Sequence, residues 1–258
     1  MELFDIAWFF SGRGPRRRRV EHMANLIKRI KDTVPIEVCL SAGLMDNEDT
    51  QKLKQAGLNR FNHNLNTSES YYKKICTTHT YQDRLNTLSA ARNAGIELCS
   101  GFIAGMNEKP EDLVELAFKL KSLNVESVPI NFLIPISGTP MANTKNNLTP
   151  NYCLRILTMM RFVLPAAEIR MAAGRELHLK GNQILGLFAA NSLFVDGYLN
   201  VKGTKQEIIQ QIQDAGFDME QDGSRLNSLQ TENQSNRTTI NAQDVIMKTF
   251  QDLHPTQS

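Results

Sequence analysis

The stretch from Phe61 to Ser68 reads Phe-Asn-His-Asn-Leu-Asn-Thr-Ser, with three carboxamides and one imidazole in five consecutive positions. In extended backbone alternate side chains share a face, so Asn62, Asn64 and Asn66 face one way and His63 and Leu65 the other. Three amides on one face present donors and acceptors to a polar ligand. The competing reading is an Asx-rich turn, in which the same side chains bond their own backbone.

A second set of reactive residues emerges from strand phase. In Ile36-Glu-Val-Cys-Leu-Ser41 the apolar set is Ile36, Val38 and Leu40, leaving Glu37, Cys39 and Ser41 together. In Ile96-Glu-Leu-Cys-Ser100, Glu97 pairs with Cys99 in the same way. Asn131 alternates against Ile130 and Phe132, and Arg170 against Ile169 and Met171. Placed on the strands of one barrel, these residues send two thiols, an amide and a guanidinium into one lumen. A packed barrel interior uses Val, Ile and Leu, and a buried Arg requires an anion to balance it, so this lumen reads as a site rather than a core. Two thiolates beside a cation suit an iron–sulfur cluster; the alternative is that Cys39 and Cys99 are small buried hydrophobes. Cys76 and Cys153 fall in predicted helices and read as packing residues. In Gly101-Phe-Ile-Ala-Gly105-Met-Asn-Glu108 the two glycines allow backbone to approach a bound group, as they also do in an ordinary strand-to-helix turn. Glu176 beside Arg175 suggests acid–base work, but nothing else at nucleophile spacing supports a hydrolase.

The elements that must position these residues follow from periodicity. Strands are expected over Leu3–Phe10, Ile36–Ser41, the opening of the Phe61 stretch, Ile96–Ile103, Glu126–Leu133, Glu168–Ala172 and Asn191–Val195. Helices are expected over 19–33, 47–56, 68–76, 81–94, 110–123 and 150–163. Strands separated by helices imply parallel pairing and right-handed crossovers, hence an α/β fold of the TIM-type (β/α) barrel kind. Seven strands are one short of eight, and the missing unit is expected ahead of Leu3. Residues 1–10 read as a divergent first strand and 11–220 as the barrel. Residues 221–258 turn to Ser, Asn, Gln and Thr and read as a disordered tail.

Composition narrows the function classes. A net charge of +2 favours neither nucleic acid nor a strongly acidic partner. The block Arg16 to Arg19 precedes an amphipathic helix and reads as a solvated helix start. There is no run of about 18 apolar residues for a membrane span. Four irregularly spaced cysteines, with no secretory leader, point to a reducing compartment and the cytoplasm, or the mitochondrial matrix in a eukaryote.

In order along the chain come the Phe61–Ser68 stretch, Thr77-Thr-His-Thr-Tyr81, Cys99-Ser-Gly-Phe-Ile-Ala-Gly105, Val128-Pro-Ile-Asn-Phe-Leu133 with Gly138-Thr-Pro140, and Ile169-Arg-Met-Ala-Ala-Gly-Arg-Glu176. Together they resemble biotin synthase, of the radical S-adenosylmethionine superfamily, from about Ser11 to Phe217. The resemblance implies sulfur insertion into dethiobiotin to form biotin. It also implies a [4Fe–4S] cluster that cleaves S-adenosylmethionine to a radical, and a [2Fe–2S] cluster that donates sulfur. By motif match Cys39, Cys99 and Arg170 stand at [2Fe–2S] ligand positions. Asn62, Asn64 and Asn131 stand at positions contacting dethiobiotin or S-adenosylmethionine, and Asn66 at a ribose-contacting one. Gly101, Gly105 and Glu108 stand at the turn near the adenine. The family also implies a flavodoxin- or ferredoxin-type electron donor and a homodimer.

Two departures accompany the match. The family's Cys-x-x-x-Cys-x-x-Cys motif, which holds the [4Fe–4S] cluster, is absent from these 258 residues. Counting back from Ser11, a fourth [2Fe–2S] ligand is expected where Ala7 stands. The chain therefore reads as a biotin synthase lacking its first barrel unit, inactive alone. The alternatives are a non-catalytic barrel that binds dethiobiotin or S-adenosylmethionine, and a damaged product with an exposed sheet edge.

Overall fold

The computed structural model describes residues 6–10, 17–145, 147–194 and 205–218. Residues 1–217 form one compact unit and 218–258 a second, of which only Asp218 is described, so the expected tail lies outside the described residues.

The first half runs β1 (Ile6–Phe10), α1 (Arg17–Thr33), β2 (Glu37–Ser41), α2 (Asn47–Gln55), β3 (Arg60–Asn62), α3 (Glu69–Ile75), α4 (Tyr81–Asn93) and β4 (Glu97–Cys99). It continues with β5 (Phe102–Ala104), α5 (Pro110–Ser122), β6 (Ser127–Phe132), α6 (Pro150–Val163), β7 (Glu168–Met171), α7 (Arg175–Leu179), a 3₁₀ segment (Lys180–Phe188), β8 (Ser192–Leu193) and α8 (Lys205–Asp214). Every strand pairing is parallel, in the order β1-β2-β3-β4-β6-β7-β8, with β5 also paired to β6. This is the expected incomplete (β/α) barrel. Among the described residues no ladder joins β1 to β8.

Local chemistry sets the helix ends. The Asp46 carboxylate accepts the Asp49 N–H to start α2, and Gly57 follows that helix at φ 98°. Thr80 and Asp83 cap α4 reciprocally, each accepting from the other's backbone N–H. Pro110 and Pro150 occupy the first turns of α5 and α6. The buried faces of these two helices share one spacing: Leu113, Leu116, Ala117 and Leu120 in α5; Cys153, Ile156, Leu157 and Met160 in α6. Each buried leucine contributes about 1.5–3 kcal/mol relative to exposure. Cys153 is thus the packing residue that its helical position implies.

Two strand expectations are refined. The expected Ile96–Ile103 strand divides at Ser100-Gly101 into β4 and β5. At Gly101 a Cβ would lie 1.8 Å from the Pro129 carbonyl oxygen, so the chain passes against β6 too closely for any side chain. In the β1–β2 ladder Trp8 lies opposite Cys39, and Ala7 lies opposite Val38. Trp8, one residue beyond Ala7, is thus the strand position in register with Cys39.

Candidate functional site

Cys39 and Cys99 sit on β2 and β4 and are both fully buried, with β3 between them. Register aligns Arg60 with both Cys39 and Glu97, and Asn62 with Cys99, so one short strand supplies two polar residues to the space between the thiols. The Asn62 carboxamide donates to Cys99 Sγ at 3.2 Å. The neighbouring Cys39 thiol, against the cost of burial and helped by Asn62, Arg170 and Ser127, holds Cys99 down to about 7. Cys39 is pushed up by the same pairing, by burial and by the negative charge on its neighbour. The pair therefore loses its first proton from Cys99.

Arg170 on β7 faces the thiols and lowers both. Its Nε donates to Ser192 Oγ at 2.9 Å and its Nη2 donates to Glu168 Oε1. The anion that a buried arginine requires is thus Glu168, two residues earlier on the same strand and in the same phase. Burial pushes the Glu168 carboxyl up, but Arg170 and nearby hydroxyls hold it below the ordinary range. The other oxygen of Glu168 accepts from Arg60 Nη1 at 3.1 Å, and Arg60 also donates to Glu97 through Nε and Nη2 at 3.1 and 2.9 Å.

A second group lies just beyond the strand ends. Asn64 Oδ1 accepts the Gly101 N–H at 2.9 Å, and the Asn64 carbonyl accepts from Arg84 Nη1 at 2.6 Å. Asn66 adopts φ 70°, which asparagine tolerates; its backbone pairs with Gly101 and Ile103. Asn131 Nδ2 donates to the Phe102 carbonyl at 3.1 Å while its Oδ1 accepts the Ala173 N–H at 3.2 Å, joining β5 to the turn after β7. Further out, the Glu108 carboxylate accepts the Gly105 and Met106 N–H groups, both at 2.6 Å, with Gly105 at φ 96° and Asn107 at φ 71°. The Asn64 and Asn131 side chains do bond backbone, but that of neighbouring segments rather than their own. On the opposite face His63 and Leu65 are buried, and the His63 ring lies 6.0 Å from that of Phe61.

Cys39, Cys99, Asn62 and Arg170 thus converge. Asn64, Asn66, Gly101 and Asn131 form an adjoining ring, and Gly105 and Glu108 close the turn beyond it. Sequence reasoning missed Arg60 and Glu168, whose signal was available: each stands two positions before a residue already singled out, in the same strand phase. Cys76, read as a packing residue, does pack against the core at the end of α3, but it is partly exposed, with its sulfur 3.6 Å from both Thr78 Oγ1 and His79 Nδ1. Partial burial raises the Cys76 thiol, but hydrogen bonds from Thr78, Tyr72 and the His79 backbone outweigh that and bring it to about 7.

The donor set fits a soft, thiolate-preferring group: two buried thiols, an amide N–H aimed at one sulfur, and a guanidinium facing both. Among the described residues no cluster of three or more His, Cys, Asp or Glu could hold a metal ion.

A parallel barrel with thiols in its lumen and a glycine turn at its strand ends defines the class. The radical SAM superfamily model matches residues 5–120, and the Biotin and Thiamin Synthesis associated domain model matches residues 129–218. The chain is 54% identical over 241 residues to a biotin synthase of Acaryochloris marina, a match that covers 92% of this chain and 69% of that protein. It is 51% identical to one of Magnetococcus marinus, covering 81% of this chain and 65% of that relative. The chain belongs to the biotin synthase family, and spans about two thirds of the length of these curated relatives. Among solved structures, methylornithine synthase superposes with a TM-score of 0.71 at 19% identity, over 84% of this chain and 69% of that one. The FeFe-hydrogenase maturase HydG from Carboxydothermus hydrogenoformans gives 0.67 at 16%, over 83% and 55%. These two share the fold. Among the described residues no helix is long and apolar enough to cross a membrane.

Proposed function

We propose that this chain serves the formation of biotin from dethiobiotin, with S-adenosylmethionine and dethiobiotin held at the C-terminal ends of its strands. The observation that carries the reading is the meeting of Cys39 and Cys99 with the Asn62 donor and Arg170 in one buried lumen. These residues would hold a [2Fe–2S] cluster through Cys39, Cys99 and Arg170. When bound, that cluster supplies the sulfur that closes the thiophane ring.

The chain's own residues do the rest. Burial of both sulfurs excludes water, and the Asn62 N–H fixes the orientation of Cys99. Ser192 and Glu168 hold the Arg170 guanidinium in place. Asn64 and Asn131 spend one or both amide groups on backbone, and Asn66 orients its side chain from a left-handed turn. Together with Asn62 they grip the two small molecules. Gly105 lets backbone approach the adenine, Gly101 lets the chain pass against β6 beside it, and Glu108 holds the Gly105 turn shut. The residues present do not fit a [4Fe–4S] cluster, because Cys39, Cys76, Cys99 and Cys153 lack the Cys-x-x-x-Cys-x-x-Cys spacing, so no radical-generating step is assigned to this chain. A flavodoxin- or ferredoxin-type donor and a second copy of the chain complete the system in the cytoplasm, or the mitochondrial matrix in a eukaryote.

Anaerobic reconstitution with iron and sulfide tests the reading. Visible absorbance of a [2Fe–2S] cluster is expected for the parent chain and is lost in Cys39→Ala and Cys99→Ala, with no biotin formed by the chain alone. Biotin formation from these 258 residues would overturn the assignment of an inactive chain. The missing cysteine motif favours one second reading, a non-catalytic barrel. Calorimetric binding of dethiobiotin or S-adenosylmethionine without any cluster absorbance would select it.

A further inference from the structure

We propose that Arg60 is a positioning residue for the thiol pocket, acting on Arg170 through the carboxylate of Glu168; this rests on the reading of Cys39, Cys99 and Arg170 as cluster ligands. Arg60 stands on β3 and Glu168 on β7, with β4 and β6 between them in the sheet, so their 3.1 Å contact spans the lumen instead of following a ladder. Glu168 is shared: one oxygen accepts from Arg60 and the other from Arg170. Ser192 Oγ fixes the Nε edge of Arg170. The Arg170 guanidinium is thus held at two edges, and one of its holders is itself held by Arg60.

Arg60 is in turn aimed by Glu97, which takes its Nε and Nη2 on one oxygen. Its side chain is only 13% exposed, against 48% for Glu97. Arg60 therefore places a full positive charge inside the barrel, in register with Cys39, while its own counter-ion faces solvent. Two consequences are separable. The fork geometry of Arg60 fixes which way Glu168, and hence Arg170, points. The charge offsets that of Glu168 and of the thiolates, and so favours added negative charge in the pocket.

The test uses the whole chain with Arg60→Met, Arg60→Lys and Glu168→Gln. In the cluster-free protein the Arg170 Nε–H resonance is followed by nuclear magnetic resonance. It should be sharp and slowly exchanging in the parent, and should broaden and exchange several-fold faster in Arg60→Met and Glu168→Gln. After reconstitution the reduction potential is measured: it should fall in Arg60→Met. In Arg60→Lys the potential should stay near the parent value while the Arg170 signal remains loosened. Unchanged Arg170 exchange in both Arg60→Met and Glu168→Gln would overturn the positioning role, whether or not a cluster assembles. Failure of the parent chain to take up any cluster would instead sink the proposed function and leave the Arg170 measurement standing. Should Arg60→Met not fold, Glu168→Gln, which keeps the side chain's shape but replaces one acceptor oxygen with a donor amide, carries the positioning test.

Discussion

Asn62 donates its carboxamide N–H to the sulfur of Cys99 at 3.2 Å, so the amide most easily read from the sequence as a ligand grip already holds a thiol. In Asn62→Ala, Cys99 loses one of the hydrogen bonds that favour its thiolate. The onset of thiolate absorbance in the cluster-free chain should move to higher pH. If the onset stays with the parent's, the hydrogen bond does not tune the sulfur.

Asn64→Ala should act differently. It removes the acceptor of the Gly101 N–H at the junction of β4 and β5 and leaves that amide without its side-chain partner. A stability loss of about 1–3 kcal/mol is expected in urea unfolding. Calorimetry should show weaker binding of S-adenosylmethionine or dethiobiotin in Asn62→Ala and in Asn64→Ala; parent-like binding in both would remove this stretch from the site.

Gly101→Ala should be among the most damaging single substitutions in the barrel. The added Cβ meets backbone, the Pro129 carbonyl, and no rotamer change relieves it. A loss of about 3 kcal/mol or more is expected, with the pairing of β5 to β6 lost first. Hydrogen exchange at Leu133, whose N–H donates to the Ala104 carbonyl at 2.8 Å, would report that local opening, and a parent-like melting temperature would contradict it.

His63 predicts an acid-labile fold. Burial, then the charges of Arg84 and His79, push the imidazole from 6.5 down to about 3, and its Nε2 has no hydrogen-bond partner among the described residues. Between those values the unfolded chain binds a proton that the folded chain does not. Stability therefore rises with pH across that window and falls on acidification from pH 6.5, by about 2 kcal/mol at pH 5. Denaturation midpoints between pH 7 and pH 5 should drop for the parent and much less for His63→Gln.

The four cysteines should separate by reactivity. Cys39, Cys99 and Cys153 are buried, whereas Cys76 is partly exposed and brought to about 7. In the cluster-free chain at pH 7 a disulfide reagent should modify one thiol rapidly and the rest only on unfolding. Cys76→Ser should abolish the fast phase.

Much of the barrel was legible because its elements carry separate signals. Gly57 and Gly95 mark helix ends, Thr80 and Thr149 mark starts, and the paired phases of Val38, Leu40 and Cys39 mark a strand buried on both faces. The lumen was legible for the same reason, since Cys39, Cys99 and Arg170 break an otherwise apolar alternation. The partner of Arg170 was not read, although Glu168 stands in the same phase, because phase tells which side a residue faces but not what it meets there. Arg60 was passed over because charge at a strand start is usually solvent-facing. The break between β4 and β5 depends on how close Pro129 comes to Gly101, which no local pattern records. α7 and the 3₁₀ segment lack the strong caps or periodicity that revealed the other helices, whereas α8 carries a helical period in Ile208 and Ile212 that was not taken up.

The ion pair from Arg60 to Glu168 also bears on curvature. From β3 to β7 the path through β4 and β6 is three inter-strand steps, roughly 14 Å of arc. Two side chains close that distance directly, as a chord closes a bow. In a sheet whose end strands share no ladder among the described residues, such a tie limits how far the arc can flatten. Neutralising either end should therefore widen the space between Cys99 and the strands facing it, and the bend of the sheet becomes a quantity set by charge and sensitive to salt.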